Sequence, residues 1–433
     1  MLKAEIKEYI KFLIKWRLFG FVNKVALLFW GHKPNTADYG KRILVINLHA
    51  LGDIIATTSA LRRYKLDFPD KEIYCLFPKG MVDESFFREF VDKTFLVDIK
   101  KFGLDIKYEL GFINGLRDIG FETVVNQGYG VLELPGKTIA TNIGAKNIIG
   151  YEGLVTEYVN ANWVARRRIA FIKKHIFPLY TKLVPIVDPD FKKRGRVTNF
   201  VKINAAIYDG FLGHAAKILP TKISVDPGAE KSVLKILEEN KINPGTYAVF
   251  VLGARTPARR WPVERFAEVA KEVERLKIPV VLVGMPSEIE VATHFKKISA
   301  VSVIDLIGKL SLKELVSTVN HCLFVLTNDT GPVHIAVALK KPSMSIVGDA
   351  ALGVSDDYGY PRINRWSYVK RECLFDMWRC SETVAPGEPA PCIAAVTLDD
   401  VLKKVRELIT FIKENDLKEF TKDERFEAEF ESI

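Results

Sequence analysis

The stretch LFVLTNDTGPVHIAVALKKPSMSIVG, Leu323 to Gly348, decides the reading of this chain. Its first residues, LFVLT, are a short apolar run of the kind that forms a buried parallel strand. A polar turn, Asn328 to Gly331, leads into a helix, PVHIAVAL, and a second apolar run, SMSIVG, follows. Strand, turn, helix and strand in that order is the unit of a doubly wound α/β domain. The turn then lies at the carboxyl end of a parallel strand, where open α/β sheets bind ligands. N–H groups at the helix start and the positive end of its dipole favour a phosphate. Gly331 removes side-chain obstruction, Thr330 offers a hydroxyl donor, and Pro332 fits the first helical turn, where its missing N–H is no loss. The plainer alternative is an ordinary N-cap by Asp329 or Thr330, with His334 packed by chance.

Outward from this stretch the rhythm repeats. YAVFVLG begins at Tyr247, a helix runs through Phe266 and Val273, VVLVG begins at Val280, and a helix lies near Glu288. LGARTPARRWPVERF, Leu252 to Phe266, also ends a strand and opens a helix, and places Arg255, Arg259 and Arg260 in one window. Guanidinium forks match phosphate oxygens, so two such turns in one domain suggest a diphosphate. The alternative is a basic surface loop anchored by Trp261 and Pro262.

Nearer the start, ILVINL at Ile43 reads as a strand, Gly52 as a turn, and about Ile54 to Tyr64 as an amphipathic helix. EIYCLF from Glu72 and TVVNQG near Thr123 read as further strands. The glycine fingerprint of dinucleotide binding is missing from this first turn. Asp53 follows Gly52 there and can serve as a general base for a hydroxyl, or merely cap the helix behind it.

The chain has 433 residues, 48% hydrophobic and 27% charged, with a formal net charge of +10. These values describe a folded protein of two domains with an acidic partner: nucleic acid, an anionic membrane or a phosphorylated substrate. Five cysteines, Cys75, Cys322, Cys373, Cys380 and Cys392, are an odd and scattered set, which suggests a reducing compartment and free thiols. The last three lack the C-x-x-C spacing of a zinc site. Asp188-Pro189-Asp190 has the D-x-D spacing of a cation site but sits in a basic linker, and we reject it.

Lysines at 3, 7, 11 and 15 share one helical face, with Trp16, Phe19, Phe21 and Trp30 as interfacial aromatics, so the first segment reads as a basic amphipathic helix. It lies on an anionic membrane or docks on the protein's own core. Its longest apolar run, Leu18 to Trp30, is shorter than the roughly 20 residues of a membrane span. Asn162 to Arg196 carries ten Lys/Arg against Asp188 and Asp190, an anion surface or a solvated face. The expected organisation is a basic segment over 1–40, a Rossmann-like domain over 41–220, a second over 221–410 and a charged tail over 411–433.

Taken together, GDIIATTSALRRYKLDFPD, LGARTPARRWPVERFAEVA, VVLVGMPSE, DLIGKLSLKELVSTVNHCLFVLTNDTGPVHIAVALKKPSMSIVG and APCIAAVTLDDV resemble glycosyltransferase family 9, the lipopolysaccharide heptosyltransferase family. The resemblance covers roughly Lys41 to Leu408. It implies the GT-B fold, two facing Rossmann-like domains with the acceptor on the first and the donor mostly on the second. It further implies inverting, metal-independent transfer of a sugar from a nucleotide diphosphate such as ADP-heptose to an anionic lipid-linked glycan. Nucleic acid drops out as a partner, and a cytoplasmic location, peripheral on the inner face of the membrane, is expected.

On the resemblance, Asp53 matches the catalytic carboxylate and Arg259 the basic residue contacting the donor phosphates, with Arg255 and Arg260 beside it. Asp329, Thr330, Gly331 and His334 match D-[ST]-G-x-x-H around the donor, while Gly52 and Glu288 are supporting residues. The family commonly shows G-P after the final strand, where this chain has Gly348-Asp349. Two rival classes stay open: a nucleotide-sugar epimerase on the same fold, and a noncatalytic nucleotide-sugar or glycan-binding protein.

Overall fold

The run RILVI at residues 42–46 shows how this chain builds its sheets. Its last four residues are fully buried, and it pairs in parallel with a strand on either side. A strand with no wet face needs helices on both sides of the sheet, and the connections between parallel strands supply them. The computed structural model describes residues 27, 29–37, 39–102, 104–128, 134–153, 163–185, 200–348, 360, 362–369, 384–385 and 387–417. The amphipathic helix expected over the first segment, the Asp188–Asp190 pair, Cys373, Cys380 and the end of the charged tail lie outside the described residues.

Contacts divide the chain into two compact units, Met1–Val197 with Val201–Ile218, and Thr198–Phe200 with Leu219–Ile433. The first contains β1 (Arg42–Ile46), α1 (Leu51–Asp67), β2 (Glu72–Pro78), β3 (Lys93–Val97), α2 (Ile106–Ile119), β4 (Thr123–Asn126), α3 (Leu134–Asn142), β5 (Asn147–Tyr151), α4 (Trp163–His175), β6 (Lys182–Val184) and most of α5 (Phe200–Leu212). Its strands lie in the order β3-β2-β1-β4-β5-β6 and every pairing is parallel.

The second unit contains α6 (Pro227–Glu239), β7 (Ala248–Val251), α7 (Val263–Arg275), β8 (Val280–Leu282), α8 (Ile289–Ser299), β9 (Val303–Asp305), α9 (Leu312–Asn320), β10 (Phe324–Asn328), α10 (Gly331–Ala338), β11 (Ser343–Ile346), β12 (Asn364–Ser367), α11 (Pro391–Ala394) and α12 (Leu398–Glu414). Its sheet runs β12-β11-β10-β7-β8-β9, again parallel throughout.

Counted from each unit's own first strand, both orders are 3-2-1-4-5-6, the Rossmann order, which reverses direction beside the first strand. The reversal falls between β1 and β4 in one unit and between β7 and β10 in the other. Connections leave adjacent strand ends in opposite directions there, and a crevice opens at the carboxyl edge.

Two sequence readings change. The helix expected from about Ile54 begins at Leu51, so Gly52 is a buried residue of its first turn rather than part of a turn before it. Its N-cap is Ala50, which has no side-chain acceptor, and the usual sign of a helix start was therefore lacking. The basic stretch after Asn162 is also more than a surface. Ile169 and Ile172 of α4, with Ile176 and Phe177 beyond it, are buried in the core of the first unit, while Arg166, Arg167, Lys173 and Lys174 are exposed. Among the described residues no helix is long and apolar enough to cross a membrane.

Candidate functional site

Both reversals carry polar side chains at their carboxyl edges, and the denser set belongs to the second unit. All five residues of β10 are buried, so the turn after it is pinned to the sheet. Thr330 is the N-cap of α10, in extended backbone with φ −147° and ψ 175°, and its side chain makes no capping bond. Its hydroxyl donates to Asn328 O at 3.2 Å and lies 3.1 Å from the Thr327 hydroxyl. The hydroxyl expected to reach a ligand is thus engaged inside the turn. Pro332 has no N–H and the Val333 N–H donates to Thr330 O at 3.1 Å. Of the first three helical positions, only Gly331 keeps an N–H without an intrahelical acceptor.

Beside this turn runs the connection from β7 to α7. A single 3-10 turn, Pro257–Arg259, reverses the chain and buries Ala258. The Arg259 guanidinium forms an ion pair with the Asp329 carboxylate, whose residue is only 4% exposed. Arg260 turns inward, and its Nε donates to Ala254 O at 3.0 Å, bracing its own loop. Arg255 is exposed. Trp261 is buried, donates from its indole N–H to Val396 O at 2.9 Å and meets Phe266 edge-on at 5.1 Å. Arg265 lies over the Trp261 ring and donates to Ala394 O and Val396 O at 2.7 and 2.6 Å. The packing anchor and a turn-facing arginine therefore coexist: Trp261 holds the loop on the stretch that bears Cys392, and Arg259 faces the turn.

His334 is 8% exposed, and burial pushes its pKa down to about 4, with Asp329 pulling it up and Arg259 adding to the depression. At neutral pH the imidazole is uncharged, with one nitrogen to donate and one to accept. Glu288 ends a short 3-10 turn after β8 and is buried, and its Oε2 accepts from the Met285 N–H at 2.9 Å. A Cβ on Gly253 or on Gly284 would overlap that carboxyl group, so two glycines at the ends of β7 and β8 make its seat. Asp329, His334 and Arg259 are thus brought together, and Glu288 lies at the next strand end.

Asn328, the last residue of β10, reaches three backbone groups. Its Nδ2 donates to Leu252 O at 3.0 Å and Gly253 O at 3.1 Å, and its Oδ1 accepts from the Trp261 N–H at 2.9 Å. Sequence reading treated it as the first residue of a turn, because its partners are 67 to 76 positions away in the chain.

In the first unit, Asp53 is the third residue of α1 and its Oδ2 accepts from the Ala50 N–H at 3.1 Å. It is partly exposed, so a helix-start role and an accessible carboxylate are combined in one side chain. Around it the carboxyl edge is polar. Asn47 donates to the Thr57 hydroxyl at 2.5 Å and takes the His49 N–H at 3.1 Å, and Thr57 reaches Asn204 at 3.2 Å. Lys137 of α3 is 2% exposed, and burial with its charge nearby holds His49 down at about 4. His49 stands inside NLHALGD and was visible in the sequence, whereas nothing in the sequence around Lys137 marked it.

Cys75, Cys322 and Cys392 are free and buried, and burial pushes the Cys322 thiol up to about 12. Among the described residues no three His, Cys, Asp or Glu side chains gather as a metal would require.

Residues 192–361 match the model of Glycosyltransferase family 9 (heptosyltransferase). The chain is 24% identical over 380 residues to lipopolysaccharide heptosyltransferase 1 of Campylobacter coli, covering 85% of this chain and 98% of that one. It is 28% identical over 138 residues to lipooligosaccharide heptosyltransferase 2 of Haemophilus influenzae, a match that covers 30% of this chain and 40% of the relative. The solved structure of the E. coli ADP-heptose lps heptosyltransferase II superposes with a TM-score of 0.61 at 17% identity, covering 86% of this chain and 99% of that one. That likeness fixes the fold class as GT-B.

Proposed function

We propose that this chain, whose residues 192–361 match the glycosyltransferase family 9 model and which is 24% identical over 380 residues to a lipopolysaccharide heptosyltransferase, moves a heptose from ADP-heptose to a hydroxyl of a lipid-linked oligosaccharide of the lipopolysaccharide core. The observation that carries this reading is the grouping of Arg259, Asp329, His334 and the open Gly331 N–H where the adjacent connections after β7 and β10 meet.

Arg259 and the Gly331 N–H hold the diphosphate, and Asp329 aims the guanidinium. His334, uncharged, exchanges hydrogen bonds with the sugar or a phosphate oxygen. Glu288 accepts from the ribose hydroxyls, as an acidic side chain near the end of the second strand does in the Rossmann plan. In the transfer the acceptor oxygen forms a bond to the anomeric carbon as the bond from that carbon to the phosphate oxygen breaks. The electron pair leaves with ADP, and the acceptor proton passes to Asp53. Such a displacement inverts the configuration. Charge on the leaving phosphate grows through the transition state, so donors already aimed at it lower the barrier without a divalent cation.

The basic first segment and the cationic face of α4 suit an anionic, membrane-borne acceptor. We place the protein in the cytoplasm, peripheral on the inner face of the membrane. The test is incubation with ADP-heptose and a panel of other nucleotide sugars, in EDTA, with an extract of lipid-linked glycans. Expected is ADP release matched by heptose transfer to lipid. Release of a rearranged sugar nucleotide without any acceptor would favour an epimerase, and binding of every donor with no turnover would favour a noncatalytic protein.

A further inference from the structure

We propose that Asn328 is a positioning residue that sets the spacing between the two halves of the diphosphate site, a role that rests on the reading of Arg259 and the Thr330–Gly331 turn given above. One buried amide joins three backbone groups of the single connection from β7 to α7. Nδ2 spends both hydrogens on Leu252 O and Gly253 O, where β7 ends. Oδ1 takes the N–H of Trp261, two residues after Arg259. Asn328 itself is fully buried and Trp261 is 1% exposed, so water cannot replace these bonds. The side chain therefore fixes where the connection from β7 starts and where its arginine-bearing turn ends, measured from the residue that precedes Asp329.

Only a side chain with two donors and one acceptor at this length satisfies all three groups. Aspartate has nearly the same shape but presents an oxygen to two carbonyl oxygens. Its carboxylate keeps the bond to the Trp261 N–H and loses both bonds to Leu252 and Gly253. Protonation of the carboxyl restores one of them. Asn328 touches no substrate in this account; it acts through Arg259 and the turn.

The experiment compares ADP with adenosine as ligands for the full chain and for Asn328→Asp, by calorimetry from pH 8 to pH 5.5. The phosphates meet both ends of the connection that Asn328 spaces, whereas the nucleoside meets only the Gly253 end, through Glu288. ADP affinity should fall on the order of 10- to 100-fold at pH 8 and partly recover at pH 5.5, while adenosine should lose only a few-fold, through the Glu288 seat. Equal loss of ADP and adenosine, or no loss in a variant with unchanged Tm, overturns the proposal. Failure of the unmutated protein to prefer ADP over adenosine overturns the diphosphate reading itself. Should Asn328→Asp not fold, Asn328→Ser replaces it with the same expected split between ligands. Amide exchange on the unmutated protein gives an independent check: a Trp261 N–H that exchanges as fast as the exposed amides of its loop contradicts the bond on which the role depends.

Discussion

The two strand-to-helix turns, β1 to α1 and β10 to α10, share a backbone plan and use their carboxylates in opposite ways. Each leaves the carboxyl end of a strand at the point where its sheet order reverses. In the first, the aspartate is the third residue of the helix and binds back to the Ala50 N–H of its own helix start. In the second, the aspartate precedes the N-cap, and another loop's arginine holds it. A carboxylate inside the first turn faces the N–H groups of its own helix start. One placed before the cap is free to aim a cation. On the proposed roles, a shift of a few positions along the same turn separates a base from an anchor.

Asparagine at position 53 breaks the comparison most sharply. Its side-chain oxygen can still take the Ala50 N–H but cannot accept a proton at neutral pH. Transfer should fall by roughly 10²- to 10⁴-fold in Asp53→Asn with Tm unchanged, measured by heptose incorporation and thermal unfolding. Wild-type turnover in this variant would return Asp53 to the role of a helix cap alone.

The histidines give a second comparison, because each unit holds one down at about pKa 4, the part-exposed His49 and the buried His334. Unfolded imidazole takes up its proton near 6.5. Between pH 6.5 and about 4 the unfolded chain binds protons that the native chain does not, so stability should fall across that window and level off below it. His334→Gln should flatten the fall, read as Tm against pH, and His49→Gln should do the same for its own unit. An unchanged slope in both would mean that other groups govern the acid side.

Smaller effects sharpen the helix starts. Asp53→Ala should cost about 1 kcal/mol of stability in denaturant titration, the size of a lost helix-terminal hydrogen bond, where Asp53→Asn costs little. Ala50→Ser supplies the missing acceptor at the N-cap and should stabilise by about 0.5 kcal/mol. A destabilised Ala50→Ser protein would show that the chain needs a small residue there.

Much of this was legible in the sequence because it rests on local pattern. The buried strands ILVI and FVLT, the turns after them and the helix PVHIAVA are read from neighbours a few positions apart. The ARR loop showed its arginines for the same reason, but not their division of labour. Arg259 meets a residue 70 positions away, and Arg260 bonds within its own loop, a difference set by where a 3-10 turn points each side chain. Asn328, Lys137 and the glycine seat of Glu288 stayed hidden because each depends on chain segments that only the sheet brings together. The start of α1 was misplaced because glycine in its first turn looked like a turn residue and alanine at its cap gave no signal.

The division of labour between the two turns is tested most directly by ADP binding alone. Titrating ADP into the wild-type protein, Asp53→Asn and Arg259→Ala should give equal affinity for the first two and a loss of roughly 10- to 100-fold for the third, the size of lost hydrogen bonds to a charged group. Weakened ADP binding in Asp53→Asn, with Arg259→Ala unaffected, would contradict the account, since the diphosphate would then not be held by the turn after β10.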